Sequence, residues 1–365
     1  MTPLHRFRPW LWVGCLSLFS LLWTSLCAAQ STPSAPPQAP TQALAVGSTP
    51  AEHVRGAEQT LLTFPEWFLV FSPNEFAQWT AANAPSQFPW WGHIGQLWGS
   101  YASVTRESQR RDMAPNPGYH LMIMVIGVST TVEYAIRSAY ESLVGRLTES
   151  TASNATAEDR LGAQVAQEYV DFIRVRPWYE FDFAAPLQRL WSQTGWWGDA
   201  PLRKWERKFA LSTEYTVKML YAQLITLGTH SVYDAPLPTT AVIARGTLPA
   251  ADPQWPDVQV LQRWDDGQTL LTVPRYEAFT HYAQYLAQHG VQLERIAGNN
   301  GSILVSLLVP RTWQAPADVQ TLFSQPIITG NQGQRVALMV PVASLSQHLR
   351  QWQAARVPVE HIFDY

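Results

Sequence analysis

The chain predicts an α+β protein, with helices gathered in an N-terminal domain and strands in the last third. Three observations carry this. Residues 51–230 contain long stretches of helical periodicity with few breakers. Ten of the 17 tryptophans lie between Trp67 and Trp205, so the helical part is also Trp-rich. The last third repeats itself at a gap-free offset of 66 residues: Gly267-Gln268 falls on Gly333-Gln334, and "TLLTV" from Thr269 falls on "RVALM" from Arg335. Phe279 to Ile296 likewise falls on Leu345 to Ile362. Each copy reads strand, helix, strand, and two such βαβ units in tandem give the ferredoxin-like layout, expected over residues 241–365.

The N-terminus, residues 1–29, reads as an export signal or a membrane anchor. His5, Arg6 and Arg8 precede the uncharged apolar run "PWLWVGCLSLFSLLWTSLC", and Cys27-Ala28-Ala29 offers a small-residue cleavage site. Residues 10–27 are nearly long enough to cross a bilayer, so both readings stand. Either one sends the chain to a cell envelope: exported, and periplasmic or anchored in the inner membrane. Residues 30–50, rich in Pro, Ala, Ser and Thr, read as a spacer without a core.

Within the helical domain, Thr156-Ala-Glu-Asp159 has the form of a capping box opening a helix. Asp199-Ala-Pro201 opens another that runs without a breaker to Gly228, the expected C-cap. Residues 231–240 read as the interdomain linker. Beyond it, "SILVSLLVP" from Ser302 is a strong strand, "QTLFSQPII" from Gln320 a weaker one, and "AGNNGS" a hairpin turn.

Two helical stretches echo each other. "VEYAIRSAYESL" from Val132 and "TEYTVKMLYAQL" from Thr213 both contain Glu-Tyr-x-x-(Arg/Lys)-x-x-Tyr. On a wheel, Arg137 and Tyr140 fall within about 40° of Glu133, and Lys218 and Tyr221 do the same around Glu214. Val128, Val132, Ile136, Ala139 and Leu143 occupy another arc, matched by Phe209, Val217, Leu220, Leu224 and Leu227. The expectation is that this apolar arc is buried. The polar strips then either form ion pairs on the helix surface or face each other across a cleft. "YHLMIMVIGV" from Tyr119 reads as part of a core helix, with a re-entrant or membrane-surface helix as the other reading.

Three further groups have chemical potential. Arg203, Lys204, Arg207 and Lys208 make one basic strip beside Trp196, Trp197 and Trp205, the composition of an interfacial helix on anionic lipid. In "WYEFDF", Glu180 and Asp182 would point the same way along an extended segment, as paired carboxylates for hydrolysis. His93 and His120 could join these acids or Glu133, but no metal-ligand spacing accompanies them, so no metal and no cofactor is expected.

Exclusions narrow the function. A formal charge of −3 does not suit a nucleic-acid protein. Cys15 and Cys27, the two cysteines, both lie in the export segment, leaving none for catalysis or disulfides beyond it. No phosphate loop, dinucleotide fingerprint or nucleophile elbow occurs. The expected function is a non-catalytic, membrane-associated binding or assembly module that meets a membrane surface or an envelope protein. An envelope hydrolase or lyase using carboxylates of the helical domain is the alternative, with a small-molecule sensor in the C-terminal domain as another.

Overall fold

The structure, a computed structural model, describes residues 45, 47–232, 237–330 and 333–363. The expected signal or anchor therefore lies outside the described residues, as do most of the spacer and part of the linker.

The N-terminal part is helical: α1 (Ala57–Thr80), α2 (Trp90–Arg110), α3 (Pro117–Tyr140), α4 (Arg146–Glu149), α5 (Ala157–Ile173), α6 (Ala184–Gln193) and α7 (Pro201–Val232). A single π-turn, Glu141–Gly145, joins α3 to α4, so the chain is helical from Pro117 to Glu149. The capping box forms: Thr156 accepts from the Asp159 N–H, and Asp159 accepts from the Thr156 N–H. Helix α7 does not stop at Gly228 but runs on to Val232. One glycine inside a 32-residue helix costs only about 1 kcal/mol, which flanking turns absorb.

The last third holds two four-stranded antiparallel sheets. The first contains β1 (Thr239–Arg245), β2 (Gln259–Arg263), β3 (Gln268–Pro274) and β4 (Gln292–Ile296), with α8 (Glu277–Gln288) between β3 and β4. The second contains β5 (Ser302–Pro310), β6 (Gln320–Pro326), β7 (Gly333–Pro341) and β8 (Val359–Ile362), with α9 (Val342–Ala354) between β7 and β8. Strand orders are β2-β3-β1-β4 and β6-β7-β5-β8. The 66-residue repeat is thus real in space, and its strand–helix–strand segments are β3–α8–β4 and β7–α9–β8.

A single ferredoxin-like sheet is not confirmed. In each unit the first strand enters between the two strands of the βαβ segment and pairs antiparallel with both, so each unit closes its own sheet. The units then exchange contacts. Helix α9 packs on β4 and α8 on β8. Thr280 on α8 accepts from the Ile362 N–H, and Ser346 on α9, 66 positions later, accepts from the Leu293 N–H. One core spans both units, including Val242, Leu271, Phe279, Leu286, Ile303, Leu338, Leu345 and Trp352.

The two halves of the protein share α1. Leu61, Leu62, Phe64, Trp67 and Phe71 of this helix pack on Leu304, Ala337, Met339 and Phe363 of the second sheet. Arg335 of β7 is 2% exposed, sits over the Phe71 ring, and bonds Glu75 of α1 at 3.2 Å and Glu360 of β8 at 2.6 Å. Breaking a buried pair by removing one partner leaves an unpaired charge. Arg335→Met should therefore lower unfolding stability by about 3–5 kcal/mol, read by urea titration; a loss under about 1 kcal/mol would mean that the two carboxylates do not depend on it.

Candidate functional site

The two echoing strips meet. Arg137 pairs with Glu133 at 3.0 Å on its own helix and with Glu214 across on α7. Lys218 pairs with Glu214 at 3.0 Å and reaches Glu133 at 3.7 Å. The four groups close a ring of alternating charge. Aromatic faces line it: Arg137 lies over Trp90 and Phe76, and Lys218 over Tyr169 and Phe183. Burial alone would raise the Glu214 carboxyl, but Arg137 and Lys218 outweigh it and hold it at about 2. Burial works against the Arg137 charge, yet Glu214 and Glu133 raise its pKa above the usual guanidinium value.

The ring is one rung of a ladder. Ser129 bonds Tyr221, Tyr140 donates to Glu206 at 2.9 Å, Arg207 donates to Glu141 at 2.9 Å, and Arg203 donates to the Gly145 carbonyl at 3.1 Å. As positions rise on α3 and the π-turn they fall on α7, so the helices are antiparallel neighbours. From Ser129 to Gly145 the ladder covers about 24 Å of axis. Tyr140 and Tyr221 are therefore parts of the ladder but not of the charge ring; Tyr221 also stacks on Trp178.

The basic strip corrects the lipid-interface expectation. Arg203, Lys204, Arg207 and Lys208 are all buried, at 2%, 6%, 3% and 1% exposure. Arg203 bonds Asp159 at 2.8 Å and Glu206 at 3.1 Å, Lys204 bonds Glu158 at 2.7 Å, and Lys208 donates to the Leu190 and Thr194 carbonyls. These cations form the polar interior of the helical domain and are not offered to anionic lipid. Burying them requires such partners, and every one has them. Trp196 and Trp197 are exposed, while Trp205 is half-buried against Trp191 and Trp196.

The apolar arc is reversed as well. Val128, Val132, Ile136 and Leu143 on one side, and Phe209, Val217, Leu220 and Leu224 on the other, are exposed, reaching 74% at Leu143. The side chain of Leu227 lies outside the described residues. Only 22% of the most apolar window between Pro117 and Glu149 is buried, so this is not a core helix. Instead α3 buries Ile123, Gly127, Thr130, Tyr134 and Ser138 against α1 and α2. The fit there is close: a Cβ on Gly127 would lie 2.9 Å from the Trp98 ring. On each helix the ladder lies between a buried arc and the apolar arc, in the same rotational order. In an antiparallel pair that order brings both apolar arcs out on one side.

The remaining candidates sit elsewhere. Buried His93 stacks on Phe88; its Nδ1 is 2.9 Å from the Ser72 hydroxyl, which is 2.7 Å from the Tyr134 hydroxyl. Its Nε2 is 3.7 Å from Glu75, so a polar line runs from Tyr134 through Ser72, His93 and Glu75 to Arg335. Burial pushes the His93 ring down to about 3, with Arg335 adding to the shift. His120 belongs to a different group, with Nε2 3.1 Å from Glu58 and Nδ1 2.9 Å from the Tyr101 hydroxyl. Exposed Glu180 ends a single 3-10 turn, and Asp182 accepts from the Ala184 N–H at 3.1 Å at the start of α6. The turn replaces the extended segment that would have aligned these carboxylates. Ser72, Glu75, Glu141, Asp159 and Arg335 complete these networks; Asp159 was legible only as a capping residue, and the partners that draw all five into the networks are distant in the chain.

Compared with known proteins, the chain matches no family model, no curated protein and no solved structure. Among the described residues no cluster of His, Cys, Asp and Glu has the arrangement of a metal site. Among the described residues, one surface depression is lined by Gln87, Arg146 and Glu149 and another by Gln78, Gln164 and Asp171; no ring residue lines either.

The His93 geometry has a measurable consequence. A ring whose pKa is held far below its ordinary 6.5 binds fewer protons folded than unfolded, so stability falls as pH drops from about 6.5 toward about 3. Glu214, held low, contributes stability above the ordinary carboxylate range and loses it only as pH falls toward about 2. Between pH 6.5 and 4.5, His93→Gln should flatten the dependence of urea-unfolding free energy on pH by up to about 1.4 kcal/mol per pH unit. Parallel slopes for parent and variant would contradict a neutral buried His93.

Proposed function

We propose that this is an exported cell-envelope protein that docks on a membrane as a non-catalytic module and carries its paired-sheet domain there for binding or assembly. The observation that carries this reading is the inverted α3–α7 pair. Its charges are joined between the two helices, and its apolar arcs look outward on one side. Exposed apolar patches of this extent mark interaction surfaces, because a water-facing helix places its charges outward. The basic start and apolar run of residues 1–29 support an envelope location.

A hydrolase or lyase gains no comparable support. Glu133 and Glu214 are each held by Arg137 and Lys218, Asp182 caps a helix, and His93 and His120 bond other groups. A general acid or base needs a proton-transfer partner that is not already committed, and these groups are committed to the contacts just named.

Vesicle flotation of the chain from Gln30 onward, which lacks the apolar run of residues 10–27 and so reports on the helical face alone, tests the reading. Val132, Ile136, Leu220 and Leu224 are exposed, so replacing all four with Ser should leave the fold intact, with an unchanged circular dichroism spectrum. The fraction bound to phosphatidylcholine vesicles should fall at least about tenfold, since each side chain forfeits roughly 1 kcal/mol even at partial burial. A variant that floats as well as the parent would contradict docking through this face.

A further inference from the structure

We infer that α3 and α7 lie flat in the membrane surface as a two-helix monotopic platform, with one face in the acyl region, and do not cross the bilayer. This inference rests on the membrane-docking reading above and specifies its geometry. The chain from Pro117 to Glu149 is long and apolar enough to span, so length alone leaves both orientations available.

Packing decides between them. Helix α3 is covered on its inner side by α1 and α2, and α7 by α5 and α6. Those covering helices expose Arg106, Arg110, Arg160 and Asp171 to solvent. Carrying such charges to the middle of a bilayer costs about 2.5–3.5 kcal/mol each on insertion scales. A spanning α3–α7 pair would drag this charged body into hydrocarbon. A flat pair keeps it outside and immerses only the outward arcs.

The shape of the apolar surface fits that posture. Exposed apolar residues continue from Leu121 to Leu147 on one helix and from Leu202 to Leu224 on the other. The stripe is about 39 Å long on the first and about 33 Å on the second, and two helices wide where they lie side by side. Glu133, a partly exposed member of the ladder, sits midway along this stripe. In a spanning pair it would lie near mid-bilayer, whereas in a flat pair it lies at headgroup level. Exposed Trp196 and Trp197 precede the Leu202 end of α7, and such rings favour the interface. Because Arg203, Lys204, Arg207 and Lys208 are committed inside, apolar insertion supplies the binding and a zwitterionic bilayer suffices as the partner.

Depth-dependent fluorescence quenching tests this in the full chain. With Cys15→Ser and Cys27→Ser as background, Leu121→Cys, Val132→Cys, Leu143→Cys and Leu224→Cys are labelled one at a time with an environment-sensitive dye. The protein is bound to phosphatidylcholine vesicles carrying nitroxides at a shallow or a deep acyl carbon. The flat platform predicts that all four labels are quenched more strongly by the shallow nitroxide, at depths agreeing within about 5 Å, as for a helix embedded about 5–10 Å deep. A graded depth from Leu121 to Leu143 approaching their axial separation of about 33 Å would overturn the flat orientation while leaving membrane docking intact. Vesicle-bound protein whose labels escape both quenchers would also overturn it; a doubled mass by sedimentation would then assign the face to a second copy. Absence of any vesicle binding would overturn the docking reading, and this inference with it.

Discussion

The ladder between α3 and α7 fixes the rotation of both helices, and most other features of the helical domain depend on that rotation. Glu133, Arg137, Glu214 and Lys218 can all pair at once only if the Glu–base flanks of the two helices face each other. With those flanks joined, one neighbouring arc on each helix turns inward and the apolar arc turns outward. Ion pairs taken partly out of water gain little net stability, because desolvation offsets attraction. Their effect here is orientational: a rotated helix would leave several charges unpaired at once, and each unpaired buried charge is costly.

The polar interior extends the same logic to the start of α7. Arg203, Arg207 and Tyr140 converge on Glu206, while Glu141 joins through Arg207. Burial raises the Glu141 carboxyl against the pull of Arg207; in Glu206, Arg207 overcomes burial and the carboxyl is lowered. The π-turn brings Glu141 over Gly145, where a Cβ would collide with the Glu141 carboxylate. At the other end of the domain, α1 conveys order to the sheets. One of its sides completes the core of the second sheet, and Ser72 and Glu75 join the line from Tyr134 to Arg335. The helical domain and the paired sheets thus share both an apolar and a polar contact.

Much of the architecture was legible in the sequence because it rests on local or periodic signals. The 66-residue repeat located β3, α8, β4, β7, α9 and β8, and Thr156 with Asp159 marked the start of α5. β1 and β2 escaped because β1 is buried on both sides without alternation, while β2 is a short, mostly exposed edge strand. Insertion of β1 and of β5 between the strands of each strand–helix–strand segment gives two separate sheets, and the ferredoxin-like layout is not confirmed. On the wheel the arcs of α3 and α7 were correctly drawn and wrongly oriented: periodicity groups residues by face but does not say which face meets the protein. The strip from Arg203 to Lys208 was misread for a related reason. Long cations are almost never buried unless paired, and the partners Glu141, Glu158 and Asp159 lie far away in the chain.

The central claim is that α3 and α7 are locked flank to flank by their charges, which forces the apolar arcs outward. A charge-swap cycle on Arg137 and Glu214, followed by urea unfolding, tests it most directly. Arg137→Glu and Glu214→Arg should each destabilise the protein, since each places like charges side by side. The double variant should recover a substantial part of the combined loss, giving a coupling energy of at least about 1 kcal/mol. Additive losses, with no recovery in the double variant, would contradict the ladder and with it the outward orientation of the apolar face.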